Sequence, residues 1–200
     1  MNTLARIQIV IPCALVLFTG CAHNYKLHSI QRSGPLRKDG SALVSIPQDG
    51  AFERISYPGS GRQVARVVAA AFAKHVKQVD TLPAPAQANE QFEAAKKGGF
   101  RYLVVPTVAH WEDRATEWSG RSDRIEIEIR TLNVDDKSTV TLGSIEGKSR
   151  WGTLGGDSPE DMLSEPIDAY VGWLFAPIGA PLPEITPQRN QASHGKHNIR

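Results

Sequence analysis

Cysteine is scarce in this sequence. Of 200 residues only Cys13 and Cys21 are cysteines. Two cysteines allow one disulfide at most and exclude the cysteine-rich scaffold of small secreted domains. A long hydrophobic run is missing too. The N-terminal apolar stretch Ile7–Phe18 spans twelve residues, and a bilayer-spanning helix needs about 20. Charge of one sign is not in excess. Lysine and arginine number 23 against 21 acids, a formal net charge of +2. Residues 1–20 carry Arg6 and no acid, and the stretch after Pro181 carries Arg189, Lys196 and Arg200 against Glu184. The middle of the chain is therefore close to neutral, which excludes the broad basic face of a nucleic-acid binder. Neither phosphate-loop pattern, Gly-x-x-x-x-Gly-Lys-Ser/Thr or Gly-x-Gly-x-x-Gly, occurs, and Gly-x-Ser-x-Gly is absent as well.

What is present begins at the N-terminus. Arg6 precedes the apolar run, and the small residues Thr19 and Gly20 follow it. This is the layout of a secretory leader and its cleavage site. Gln8 and Pro12 weaken the run as a permanent membrane helix, and the lack of a polar face argues against a helix of the folded domain. "Phe18-Thr19-Gly20-Cys21" resembles the lipobox of bacterial lipoproteins, with Phe18 where leucine is usual. The resemblance implies a diacylglyceryl group on the Cys21 thiol and cleavage between Gly20 and Cys21. It also implies acylation of the new amine by a fatty acid such as palmitate. One acyl chain holds a protein only marginally, whereas two or three hold it durably. Removal of residues 1–20 takes Cys13 away and leaves Cys21 alone, and thioether attachment explains an odd cysteine in an exported chain. No disulfide, cysteine zinc site or cysteine nucleophile then remains. Ala22, in place of Asp, implies by the same resemblance sorting to the outer membrane, facing the periplasm.

Composition, with 40% hydrophobic and 22% charged residues, fits one globular domain with terminal extensions. Residues 21–40 mix Gly, Pro, Ser and charge without a sustained period and read as a tether, with room for a short strand near Tyr25–Ile30. Ser41–Ile46 is a strand stopped by Pro47. Val64, Val67, Val68, Ala71, Phe72 and His75 recur at helical spacing and predict a helix over about 62–75. A strand over 78–82, a helix over about 86–97 stopped at Gly98-Gly99, and a buried strand over 102–108 follow. "Asp123-Arg124-Ile125-Glu126-Ile127-Glu128-Ile129-Arg130" alternates strictly, with one isoleucine face and one charged face, and a turn at 135–138 leads to a partner strand over about 139–151. "Ser158-Pro159-Glu160-Asp161" is a helix start, and Pro166 kinks or restarts that helix. Residues 177–200 read as a disordered proline-rich and polar tail. The expected fold is therefore a single α+β domain over 41–176. A mixed sheet of about five strands carries about three helices, in the order β-α-β-α-β-β-β-α.

The densest functional group types lie in "His110-Trp111-Glu112-Asp113-Arg114-Ala115-Thr116-Glu117-Trp118-Ser119-Gly120". One reading makes it a recognition surface, with Trp111 and Trp118 as flat anchors and His110, Glu112, Asp113, Arg114 and Glu117 as polar partners. A second reading continues the strand and uses the tryptophans to cap the core. A third pairs His110 with Glu112 or Asp113 for acid–base chemistry. The ligand set is too small for a metal, and no cofactor is expected. If extended, the segment points His110, Glu112 and Arg114 one way and Trp111 and Asp113 the other. "Gly59-Ser60-Gly61-Arg62" opens a helix, where free N–H groups, the dipole and Arg62 favour an anion or a glycan. The alternative is a serine-capped helix with turn glycines. "Trp151-Gly152-Thr153-Leu154-Gly155-Gly156-Asp157" is a glycine-rich connection or a contact loop.

Together with "Tyr102-Leu103-Val104-Val105-Pro106" and "Gly155-Gly156-Asp157-Ser158-Pro159", the 59–62 and 110–120 segments resemble the bacterial lipoprotein family of domain of unknown function 4823. The resemblance covers about residues 21–176 and implies a lipoprotein of the Gram-negative envelope, without an activity or catalytic residues. The element order is also similar to the small α/β domain of periplasmic proteins such as the TolB N-terminal domain, in architecture alone. The expected role is a non-enzymatic envelope binding or scaffold module, held to the membrane through Cys21, with a protein or cell-wall partner and no nucleic acid. The alternatives are an anion- or glycan-binding module and an envelope hydrolase.

Overall fold

The structure is a computed structural model and describes residues 23–113, 122–149 and 159–185. Residues 1–22, with Cys21, the 114–121 and 150–158 connections and residues 186–200 lie outside the described residues.

A mixed six-stranded sheet forms the centre. It consists of β1 (Asn24–Arg32), β2 (Ser41–Val44), β5 (Gln78–Thr81), β6 (Tyr102–Glu112), β7 (Arg124–Asn133) and β8 (Thr139–Lys148), in the spatial order β1-β8-β7-β6-β2-β5. Strands β2, β5 and β6 run parallel to one another and the β6-β7-β8-β1 neighbours run antiparallel. A small hairpin, β3 (Ala51–Phe52) with β4 (Ile55–Ser56), sits beside β6. The helices are α1 (Ser60–Ala73), α2 (Ala88–Lys97) and α3 (Ser164–Leu174), the last preceded by a 3₁₀ turn at Pro159–Met162. Pro166 stands in the first turn of α3, where its missing N–H costs nothing.

Alternation along the strands sorts residues between two cores. Ala42 and Val44 of β2, Tyr102 and Val104 of β6, Ile125, Ile127 and Ile129 of β7 and Ile145 of β8 face α1 and α3 in the main core. The three β7 isoleucines are at most 2% exposed, and each contributes about 1.5–3 kcal/mol by burial. Leu43 and Leu103 face the other way and meet Ala95 and Phe92 of α2 in a smaller core. Helix α2 packs on that side against β6. Pro106 fits inside β6 because β2 pairs with β6 only as far as Val104. No ladder bond on that side is lost beyond it.

The sheet is one strand wider than the expected five. Residues 24–32, expected to be tether with room for a short strand near Tyr25–Ile30, form a nine-residue edge strand β1, paired along β8. Its Tyr25 and Leu27 pack against the main core while the alternate residues stay exposed. Arg32 closes the far end of the strand. Its guanidinium donates to the carbonyls of Leu174 and Ala176 and lies 4.1 Å over the Trp173 ring. This places a cation at the C-terminus of α3. Ala180 and Leu182, expected to belong to the tail, are held to the domain, since Ala180 accepts a bond from Trp173 Nε1 at 2.9 Å and Leu182 packs on the main core.

Just past the C-terminus of α1, the His75 ring stacks at 4.8 Å on Phe175, which directly follows α3. Burial, with Lys38 and Lys74 adding to it against Asp168, pushes the imidazole below its ordinary range. The unfolded chain then binds more protons than the folded one just below the usual histidine pKa of about 6.5, so stability falls on acidification through that window. We expect urea unfolding at about pH 7.5 and about pH 5.5 to show a smaller acid loss for His75→Gln than for the wild type. Equal losses would remove His75 from the account.

Candidate functional site

Strand β6 carries the richest segment, and its geometry divides it. A bulge leaves Ala109 unpaired, with Val108 opposite Ile127 and His110 opposite Glu126. Trp111 then stands opposite Ile125 on the core side. It is 1% exposed and packed in the main core. A Cβ on Gly50 would lie 2.5 Å from Trp111 Cβ, so the glycine backbone rests directly on the indole. The expectation of Trp111 as an exposed anchor is therefore corrected. Alternation separates it from its polar neighbours, and the covered face of the sheet takes it.

His110 and Glu112 point to the other face. His110 Nε2 lies 3.3 Å from Glu112 Oε2, with the histidine side chain 31% exposed and the glutamate 4%. Phe52 of β3 meets the His110 ring edge-on at 5.2 Å. Asp113 is held through its backbone, since its N–H donates to Tyr57 Oη at 3.2 Å and that hydroxyl reaches its carbonyl at 3.3 Å. Burial, then Asp123 and Glu160, push the Asp113 carboxyl above the usual range. Arg114, Glu117 and Trp118 lie outside the described residues, as does the 151–157 connection.

The helix start at 59–62 is occupied from within the chain. Gly59 takes φ 91°, a left-handed turn that favours glycine. The Gly61 N–H donates to Asp49 Oδ1 at 2.9 Å, and a Cβ on Gly61 would lie 2.3 Å from the Pro47 carbonyl oxygen. The buried Ser60 hydroxyl accepts from Gly50 N–H at 2.8 Å and donates to the Tyr57 carbonyl at 2.7 Å, so it ties down the loop and does not cap the helix. Arg62 is exposed and reaches the Pro83 carbonyl at 3.4 Å. Asp49 thus supplies the anion that the helix dipole favours, and the expected external anion or glycan site at Gly59–Arg62 does not survive this geometry.

The open face of β1-β8-β7-β6 is the larger polar surface. Its rows follow the register: Asn24, Lys148, Arg124 and Glu112 at the end of the sheet, then Lys26, Glu146, Glu126 and His110. A shallow hollow of about 390 Å³ lies over these two rows. A second, of similar volume, lies between α2 and the sheet, with Phe92, Leu103, Val105 and Leu132 beneath Arg130 and Lys137. His28 adds a contact to Glu146 at 3.2 Å. The charged face of β7 was legible in its alternation. The β1 and β8 contributions were not, although the Tyr25, Lys26, Leu27, His28 alternation carries the signal.

The His110–Glu112 pair can hold or pass a proton, but the described residues lining the hollow beside it include no hydroxyl or thiol nucleophile. No group of three or more His, Cys, Asp or Glu side chains among the described residues could hold a metal. No helix among them is long and apolar enough to cross a membrane.

Several solved structures are similar to this chain to different degrees. The PelC dodecamer from Paraburkholderia phytofirmans matches with a TM-score of 0.58 at 16% identity, over 77% of this chain and 98% of that one. Protein XCC0632 from Xanthomonas campestris matches at 0.48 and 15%, over 72% and 88%. Lipoprotein GNA1162 from Neisseria meningitidis matches at 0.44 and 12%, over 58% and 88%. No curated protein sequence matches the chain. The model of the family described as Domain of unknown function (DUF4823) matches residues 35–174, from just after β1 through α3, and this chain belongs to that family.

Proposed function

We propose that the chain is an outer-membrane lipoprotein, anchored through acyl chains on Cys21 and facing the periplasm, whose domain binds an envelope partner without catalysing a reaction. The carrying observation is the place of Cys21, three positions before Asn24 and the start of β1. An acylated Cys21 holds the sheet directly at a bilayer and leaves its charged open face clear. The domain then runs from Asn24 to about residue 185, after a leader of residues 1–20 and before a tail from residue 186. Trp118, with Arg114, Glu117, His110, Glu112 and Asp113 but without the buried Trp111, is the proposed recognition segment, and a protein or cell-wall component is the partner.

A photo-crosslinking residue placed at Trp118 or at Glu128 on the open face tests this in native membranes. We expect a reproducible adduct from both positions and none from Arg66 on α1. No adduct at either position, together with a hydrolytic activity lost in His110→Ala, would replace the binding reading with the enzymatic one.

A further inference from the structure

One corner of the covered face is polar where the rest is aliphatic. Thr131 of β7 and Thr141 of β8 stand directly opposite each other. Alternation from Ile129 and Ile145 turns both towards the core. Each is 0% exposed, and neither hydroxyl has a hydrogen-bond partner among the described residues. Tyr170 of α3 comes down beside them. It is also 0% exposed with an unpartnered hydroxyl, and a Cβ on Gly143 would overlap that oxygen. Gly143 is the next core-facing residue of β8 after Thr141, about 7 Å along the strand. Arg32 closes the row, opposite Thr141 on the β1 side. Its Nη2 bonds the end of α3, while its Nε is buried and unpartnered.

Polar atoms buried in folded proteins are hydrogen-bonded in about nine cases of ten, to protein or to ordered water. The two threonines do not bond each other. A bridging water spans polar atoms up to about 5.6 Å apart, twice a hydroxyl hydrogen-bond length. Opposite Cβ atoms, at about 4.5–5.5 Å, are within that reach. The donor and acceptor count also suits water. Tyr170 Oη and Arg32 Nε donate, and the threonine hydroxyls accept as well as donate. Burial holds the Tyr170 proton more tightly than usual, with Arg32 and Glu128 acting on it in opposite senses. The β1 bulge between Ser29 and Gln31 interrupts the ladder beside Gly143 and Leu142, so the corner lies next to an irregular sheet edge through which water can exchange.

We infer that Thr131, Thr141 and Tyr170 hold an ordered internal water, with Arg32 Nε on its outer side, and that this water joins α3 to the β7–β8 floor. A buried water of this kind makes about three hydrogen bonds and is costly to remove. The site is independent of the proposed acylation of Cys21.

Thr131→Val, Thr141→Val and Tyr170→Phe each remove one oxygen and keep the side chain's shape. The sign of their effect separates a hydrated corner from a dry one. Removing an unpartnered hydroxyl from a dry core is neutral or stabilising, whereas breaking a water bridge strands the groups that shared it. We expect urea unfolding of the purified full chain to show an unfolding equilibrium constant raised about fivefold or more in each single variant. The rise in Thr131→Val/Thr141→Val should be smaller than the product of the two single rises, because both residues hold the same water. Single variants with unchanged or lowered constants, or rises that multiply in the double variant, overturn the site. A high-resolution crystal structure of the wild-type chain decides the matter separately, even where a variant fails to fold. Density for a water within hydrogen-bond distance of at least two of the three hydroxyls is expected. Hydroxyls bonded directly to one another or to the backbone, with no water between them, would overturn the inference.

Discussion

Trp111→Ala is expected to lower the free energy of unfolding by about 3–5 kcal/mol, the range for emptying a buried tryptophan site. Trp111 is 1% exposed, lies against Ile125 across the β6–β7 pair and carries the backbone of Gly50 on its ring. The resulting cavity sits between a strand and the loop that leads into α1. The sheet cannot close it without moving β6. Trp111→Phe keeps much of the apolar volume and should lose markedly less. The check is urea unfolding followed by far-ultraviolet circular dichroism, which does not depend on the lost tryptophan signal. A Trp111→Ala protein as stable as the wild type, but deficient in partner crosslinking from Trp118, would return Trp111 to a recognition surface.

Cys21→Ser is expected to abolish anchoring outright. A serine hydroxyl cannot take the place of the thiolate in thioether formation, and the lipoprotein peptidase implied by the lipobox resemblance acts on the lipid-modified precursor. The variant should therefore accumulate with residues 1–20 attached and no added lipid mass, and its outer-membrane content should fall to background. The effect is all-or-none because no other cysteine lies in the described domain, and durable attachment needs two or more acyl chains. Normal cleavage with full membrane retention would show that something other than Cys21 holds the protein.

The fold was readable in the sequence where burial is one-sided and complete. The Ile125, Ile127, Ile129 alternation marked β7 and its wet face, and the Val64–Phe72 stripe marked α1. Strand β1 was harder because it is an edge. Its inward residues Tyr25 and Leu27 are only half buried, so its alternation is diluted by charge, and its place beside β8 is set by pairing between residues more than 100 positions apart. The β3–β4 hairpin has two residues per strand, too few for any period. At the candidate site, alternation correctly separates Trp111 from His110 and Glu112. What local sequence cannot supply is which face α1 and α3 will cover, and that tertiary choice turns Trp111 into core. The helix start at Gly59–Arg62 misled for a related reason. Its anion comes from Asp49, twelve residues before Gly61, and only the folded loop brings that carboxylate to the Gly61 N–H.

Family membership and the α+β sheet are fixed by the match over residues 35–174 and by the topology. The proposed function hangs on one atom, the sulfur of Cys21. The most direct measurement is the intact mass and fragmentation of the N-terminal peptide of the wild-type chain, extracted from the membranes of the cells that make it. A peptide beginning at Cys21, with a diacylglyceryl thioether and an acylated amine, is the predicted result. A peptide that carries residues before Cys21, or a free Cys21 thiol, would contradict the account.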